Sequence, residues 1–123
     1  MSKKILLVDD SKTTLAIEQM ILSSNTNYNL ISAQDGLEAV EKARTESPDL
    51  VLMDVVMPRM NGLEACKRLR EDEKTQSLPV ILVTTKGQET DVEAGFRNGC
   101  NDYLTKPICE HELVSMLKAY LGE

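Results

Sequence analysis

The sequence predicts an α/β protein, a doubly wound parallel sheet of five strands with five helices over both faces. Two observations predict it. Short apolar runs alternate five times with stretches of helical spacing, and a regular βα alternation calls for crossover connections between parallel strands. Three of the runs, ILLV from Ile5, LVLM from Leu50 and VILV from Val80, are wholly apolar, as strands covered on both faces are.

Each element can be justified in order. The strand-like run Lys4–Val8 leads into a helix marked by Ile17, Met20 and Ile21. Asn29–Ala33 is the second run. Gln34-Asp35-Gly36 then reads as a turn and helix start, and Leu37, Val40 and Ala43 carry a helix that Ser47-Pro48 breaks. Leu50–Met53 is the third run; Pro58 and Gly62 frame a tight loop before a helix marked by Leu63, Cys66 and Leu69. Pro79 introduces Val80–Val83, and a sparser helical pattern follows on Val92 and Phe96. Asp102–Leu104 is the last run, and Leu113, Met116, Leu117, Tyr120 and Leu121 mark the closing helix. Residues 1–123 are expected to form one domain.

Composition narrows the function. A chain of 123 residues can bury a proper core, and 41% hydrophobic with 28% charged residues is ordinary for a globular protein. The net charge of −6 argues against a nucleic-acid-binding surface and against an anionic membrane surface. No apolar run approaches the roughly 20 residues of a bilayer span, and no signal-peptide pattern opens the chain, so a cytoplasmic location is expected. Cys66, Cys100 and Cys109 lack CxxC or Cys/His ligand spacing and read as free thiols, with Cys100 packing as a small hydrophobe. His111 and Arg59 read as solvated, and Met53 as core.

In such a sheet, ligands bind beyond the carboxyl ends of the strands. The residues just past the apolar runs there are Asp9-Asp10, Asp54, Thr84-Thr85 and Lys106-Pro107. One of the adjacent acids can cap the helix that follows, but two side-by-side carboxylates repel, and the second needs another role. Three carboxylates converging on one spot call for a cation, and an all-oxygen, partly hydrated set suits Mg²⁺ or Mn²⁺. Lysine supplies a mobile charge for a phosphate oxygen, and a threonine hydroxyl can donate to another. Together these are the means of placing a phosphoryl group on an aspartate. Asp54, alone on the central strand, is the best nucleophile; Asp9 and Asp10 are better placed to hold metal.

VDDSKTT, DLVLMDVVMPRMNG, PVILVTT and GCNDYLTKP, in this order and at these separations, resemble the receiver domain of two-component response regulators of the single-domain, chemotaxis-regulator-like kind. The resemblance runs from Lys4 to Leu121 and implies a flavodoxin-like strand order of 2-1-3-4-5. By position it makes Asp54 the phosphoacceptor, and Asp9 and Asp10 the metal-binding acids, joined by the backbone carbonyl of Val56. It has Lys106 contact the phosphoryl group, with a cis peptide to Pro107. Thr84 becomes the switch hydroxyl, and Tyr103 the aromatic that turns inward as Thr84 moves.

The resemblance also implies partners. A histidine kinase supplies the phosphoryl group, and the fourth helix, fifth strand and fifth helix form the surface that controls a downstream protein target or a fused effector. The protein is expected to be a monomer or a phosphorylation-promoted dimer, without direct nucleic-acid or membrane contact. It would be a phosphoacceptor switch rather than a turnover enzyme. The alternatives are a relay intermediate that passes its phosphoryl group to a histidine phosphotransfer protein, and a Mg²⁺-dependent aspartyl-phosphate phosphatase. The phosphatase type wants a second acid two residues past its nucleophile, where this chain has Val56. A flavin or nucleotide module would carry a Gly-rich loop where DDSKTT stands.

Some positions depart from the commonest pattern. Thr85 stands where a smaller residue is frequent and would crowd access to the phosphoryl group. Val56 and Lys86, each two residues past a site residue, occupy positions that influence hydrolysis of the acyl phosphate. Valine cannot orient a water, which points to slow loss of phosphate. No output segment follows the closing helix, so the chain reads as a stand-alone receiver or an excised one.

Overall fold

The computed structural model describes residues 2–85 and 89–122. Strands β1 (Lys4–Val8), β2 (Asn29–Ala33), β3 (Leu50–Asp54), β4 (Val80–Thr85) and β5 (Asp102–Lys106) alternate with helices α1 (Lys12–Asn25), α2 (Gly36–Glu46), α3 (Gly62–Glu71), α4 (Glu89–Arg97) and α5 (Glu110–Leu121). The sheet is parallel throughout, in the order β2-β1-β3-β4-β5, which is the expected flavodoxin-like order.

Leu15 and Leu22 of α1, with Leu113 and Leu117 of α5, pack on Ile5, Leu7, Leu52 and Ile81 on one face of the sheet. Ala39 and Ala43 of α2, with Ala65, Cys66 and Leu69 of α3, pack on Leu6, Val8, Met53 and Leu82 on the other. Helix α4 lies on this second face at Gly95, where an added Cβ would stand 2.6 Å from Leu82 Cδ1. Every residue of β3 is buried, while the edge strands β2 and β5 are mostly half-exposed.

Two differences from the sequence reading matter for the site. The apolar runs end at Met53, Val83 and Leu104, but the strands continue through Asp54, Thr85 and Lys106. Backbone pairing is indifferent to side-chain polarity, and Asp54 still pairs with Val83 and Thr85 with Lys106. On α1, Ile17 and Met20 do not face the core; they are 46% and 68% exposed. The buried stripe is Leu15, Glu18 and Leu22, spaced i, i+3, i+7, with an acid in its middle.

All three cysteines are free, with Cys66 and Cys100 buried and Cys109 exposed. Met57 and Met60 join Met53 in the core. Among the described residues, no helix is long and apolar enough to cross a membrane.

Candidate functional site

The polar residues singled out from the sequence meet at the carboxyl edge of β1, β3, β4 and β5. Asp9, one residue past β1, is 1% exposed; Asp54, the last residue of β3, is 8% exposed; Thr84 in β4 is 2% exposed. Asp10 is exposed beside them. Carboxylate oxygens of Asp9, Asp10 and Asp54 all lie within 4.8 Å of one another. The ammonium of Lys106, at the end of β5, sits 3.1 Å from Asp9 Oδ2 and 3.5 Å from Asp54 Oδ2. The peptide bond from Lys106 to Pro107 is cis.

The capping role raised for the acid pair belongs to another residue. Ser11 is the N-cap of α1, and its hydroxyl accepts from Thr14 N at 3.2 Å. Asp9 Oδ1 accepts from Ser11 N at 2.9 Å, which fixes the acid to the strand–helix turn. Asp10 is therefore spared for the site.

Helix α3 starts against the end of β3, beside Asp54. Gly62 N donates to Val55 O at 2.8 Å, and a Cβ on Gly62 would stand 2.3 Å from Asp54 O. Arg59 is exposed, as expected, and it is also ion-paired. It adopts φ 64°, and its Nε lies 3.0 Å from Asp35 Oδ2, a carboxylate that also caps α2. The loop bearing Val56 is thus braced at both ends, and the Val56 side chain is 63% exposed.

Electrostatics express the crowding of charge. Burial first, and then the neighbouring Asp9 carboxylate, push the Asp54 carboxyl up to about 6, with Lys106 only partly offsetting them. Partial burial works against the charge on Lys106, but the carboxylates of Asp9 and Asp54 outweigh it and hold its pKa above the ordinary lysine value.

Sequence reasoning missed Glu18. It is 1% exposed on α1, and its Oε1 has no hydrogen-bond partner. Burial, with repulsion from Asp9 and Asp54 outweighing attraction to Lys106, pushes it up to about 8, so the carboxyl is mostly neutral at pH 7. The signal was available: Leu15 and Leu22 set a helical phase that places position 18 inside.

A hard divalent cation suits this donor set. The three acids converge without enough positive charge, and the buried Asp9 Oδ2 accepts no well-aligned hydrogen bond.

Of the remaining site residues, Thr85 is exposed at the end of β4 and Tyr103 is 39% exposed on β5. Lys86 lies outside the described residues.

A parallel sheet in the order 2-1-3-4-5, with an acid cluster, a threonine and a lysine at its carboxyl edge, defines a receiver-type α/β domain. The model of the response regulator receiver domain matches residues 5–118, and the chain belongs to that family, whose members act in two-component signalling. It is 45% identical over 119 residues to the protein PilH of Pseudomonas aeruginosa, covering 97% of this chain and 98% of PilH. A crystal structure of a response regulator from Chloroflexus aurantiacus superposes with a TM-score of 0.94 at 33% identity, covering all of both chains. The receiver domain of the sensor histidine kinase PA1611 of Pseudomonas aeruginosa superposes at 0.91 and 31% identity, also over all of both chains; it holds a magnesium ion in its active-site cleft.

Proposed function

We propose that this chain is a phosphorylation-operated switch in which a partner histidine kinase transfers a phosphoryl group to Asp54. The observation that carries the reading is the meeting of Asp54 with Asp9, Asp10 and the Lys106 ammonium at one strand edge. An Asp54 oxygen forms the new bond to phosphorus as the kinase's phosphohistidine P–N bond breaks, and the histidine leaves with a proton. Asp9, Asp10, Asp54 and the backbone carbonyl of Val56 would hold Mg²⁺, or Mn²⁺ in its place. The bound metal neutralises charge on the phosphoryl oxygens.

Lys106 then exchanges its contact with Asp54 for a phosphoryl oxygen, and Thr84 donates its hydroxyl to another. Moving Thr84 leaves room for Tyr103 to turn inward, and the surface of α4, β5 and α5 changes with it. The shift selects between two states of one domain, and a decisive switch needs a differential of about 5 kcal/mol. A cytoplasmic single receiver domain that controls a separate protein or a fused effector completes the reading. A turnover phosphatase is disfavoured because Val56, not an acid, follows Asp54 at the second position.

Incubation with Mg²⁺ and acetyl phosphate, followed by intact-protein mass measurement, tests this. Wild type should gain one phosphoryl group and Asp54→Asn none; equal labelling of the variant, or no labelling of wild type, overturns it.

A further inference from the structure

Tyr103 meets the ring of Phe96 edge-on, with centroids 6.2 Å apart and planes at 88°. Both rings are partly open to solvent, Phe96 at 47% and Tyr103 at 39%. Among the described residues the Tyr103 hydroxyl makes no hydrogen bond, and its ring packs against that of Phe96.

Phe96 is not free to follow Tyr103. Its neighbour Gly95 lies directly on Leu82, with no room for a Cβ, and Leu82 is the β4 residue paired in register with Tyr103. Consecutive residues of α4 are therefore seated on two side-by-side residues of the sheet. Beyond Phe96 the chain is tied down as well. Arg70 Nε donates to Gly99 O at 2.8 Å, Cys100 N to Gly95 O at 2.9 Å, and Asn101 N to Val80 O at 2.8 Å. Thr84 lies two residues past Leu82 on the same face of β4. A turn of Tyr103 toward Thr84 carries its ring away from Phe96, whose flanking residues are tied to the sheet and to α3.

We propose that Phe96 is a latch that holds Tyr103 outward and so biases the unphosphorylated protein toward its resting state. This rests on the reading of Thr84 and Tyr103 as the switch pair. An edge-to-face pair present in only one of two states shifts their equilibrium about three- to tenfold. By linkage, removing it should tighten the binding of a phosphoryl mimic by the same factor.

The test is a titration of the Mg²⁺-loaded protein with beryllofluoride, read by ¹⁹F NMR on protein carrying 3-fluorotyrosine, the Tyr103 resonance being assigned with Tyr103→Phe. Phe96→Leu, at an exposed position, should lower the beryllofluoride midpoint about three- to tenfold. It should also move the unliganded Tyr103 resonance toward its liganded position. In a Tyr103→Leu background, Phe96→Leu should leave the midpoint unchanged. If wild type responds but the Phe96→Leu midpoint and Tyr103 resonance match it, the latch is overturned and the phosphoacceptor reading stands. A raised midpoint, or an undiminished effect in the Tyr103→Leu background, also overturns the latch. Failure of wild type to respond removes the phosphoacceptor reading, and the latch with it.

Discussion

A charged carboxylate at position 18 would lie between Leu15 and Leu22 with two further acids above it, and the fold keeps it protonated instead. The consequence for stability has a definite sign. Unfolded, Glu18 loses its proton near 4.5; folded, it keeps it to about 8. The folded state thus binds more protons between these values, and this group's contribution is full below pH 4.5 and is lost as pH rises through about 8. Glu18→Gln, measured by urea unfolding without metal, should flatten the pH dependence across that window and stabilise the protein at pH 8 by at least about 1 kcal/mol. Asp54 follows the same logic toward chemistry. Its carboxyl, pushed up to about 6, is a poor nucleophile when protonated. With limiting Mg²⁺, the rate of labelling by acetyl phosphate should fall as pH drops through about 6, and saturating Mg²⁺ should move that midpoint down.

At the level of elements, the site depends on close approaches that only glycine allows. Gly62→Ala places a methyl group 2.3 Å from Asp54 O, so α3 or β3 must shift. A loss of about 1–3 kcal/mol in urea unfolding and a slower labelling rate are expected together. Arg70 is the corresponding tie between loops. Its guanidinium donates to Gly99 O and Leu78 O at 2.8 Å, to Thr75 O at 3.3 Å and to Asn101 Oδ1 at 2.8 Å. It joins α3, the entry to β4 and the entry to β5. Arg70→Met takes this donor from Gly99 O and Leu78 O, while Thr75 O and Asn101 Oδ1 keep their bonds from Leu78 N and Val80 N, and should cost about 2 kcal/mol by urea unfolding. Arg70→Lys should recover little, since one ammonium cannot span the fork.

Across the whole molecule, a cation held by the acid cluster would couple metal binding to folding. A cation that binds only the folded site stabilises it by mass action, by about 2 kcal/mol at twenty times its Kd. Thermal unfolding with and without Mg²⁺ should show this gain in wild type and a smaller one in Asp10→Asn; equal gains would remove Asp10 from the metal set.

The alternation of apolar runs and helical spacing determined the element order, because strands covered on both faces must be apolar and helices between them must show a 3.6-residue period. The candidate site was legible for a related reason: Asp9, Asp10, Asp54, Thr84 and Lys106 stand at the ends of those runs, where a parallel sheet gathers its strand ends. Only the tertiary structure decided how far each strand continues through its polar residues, since pairing depends on the neighbouring strand. It also decided which side of α1 faces inward, placing Glu18 in the core and leaving Met20 outside. The cap passed from an acid to Ser11 in the same way, and Tyr103 came to rest on Phe96. Each of these turns on which surfaces meet, and a local pattern of residues carries no record of its neighbour across space.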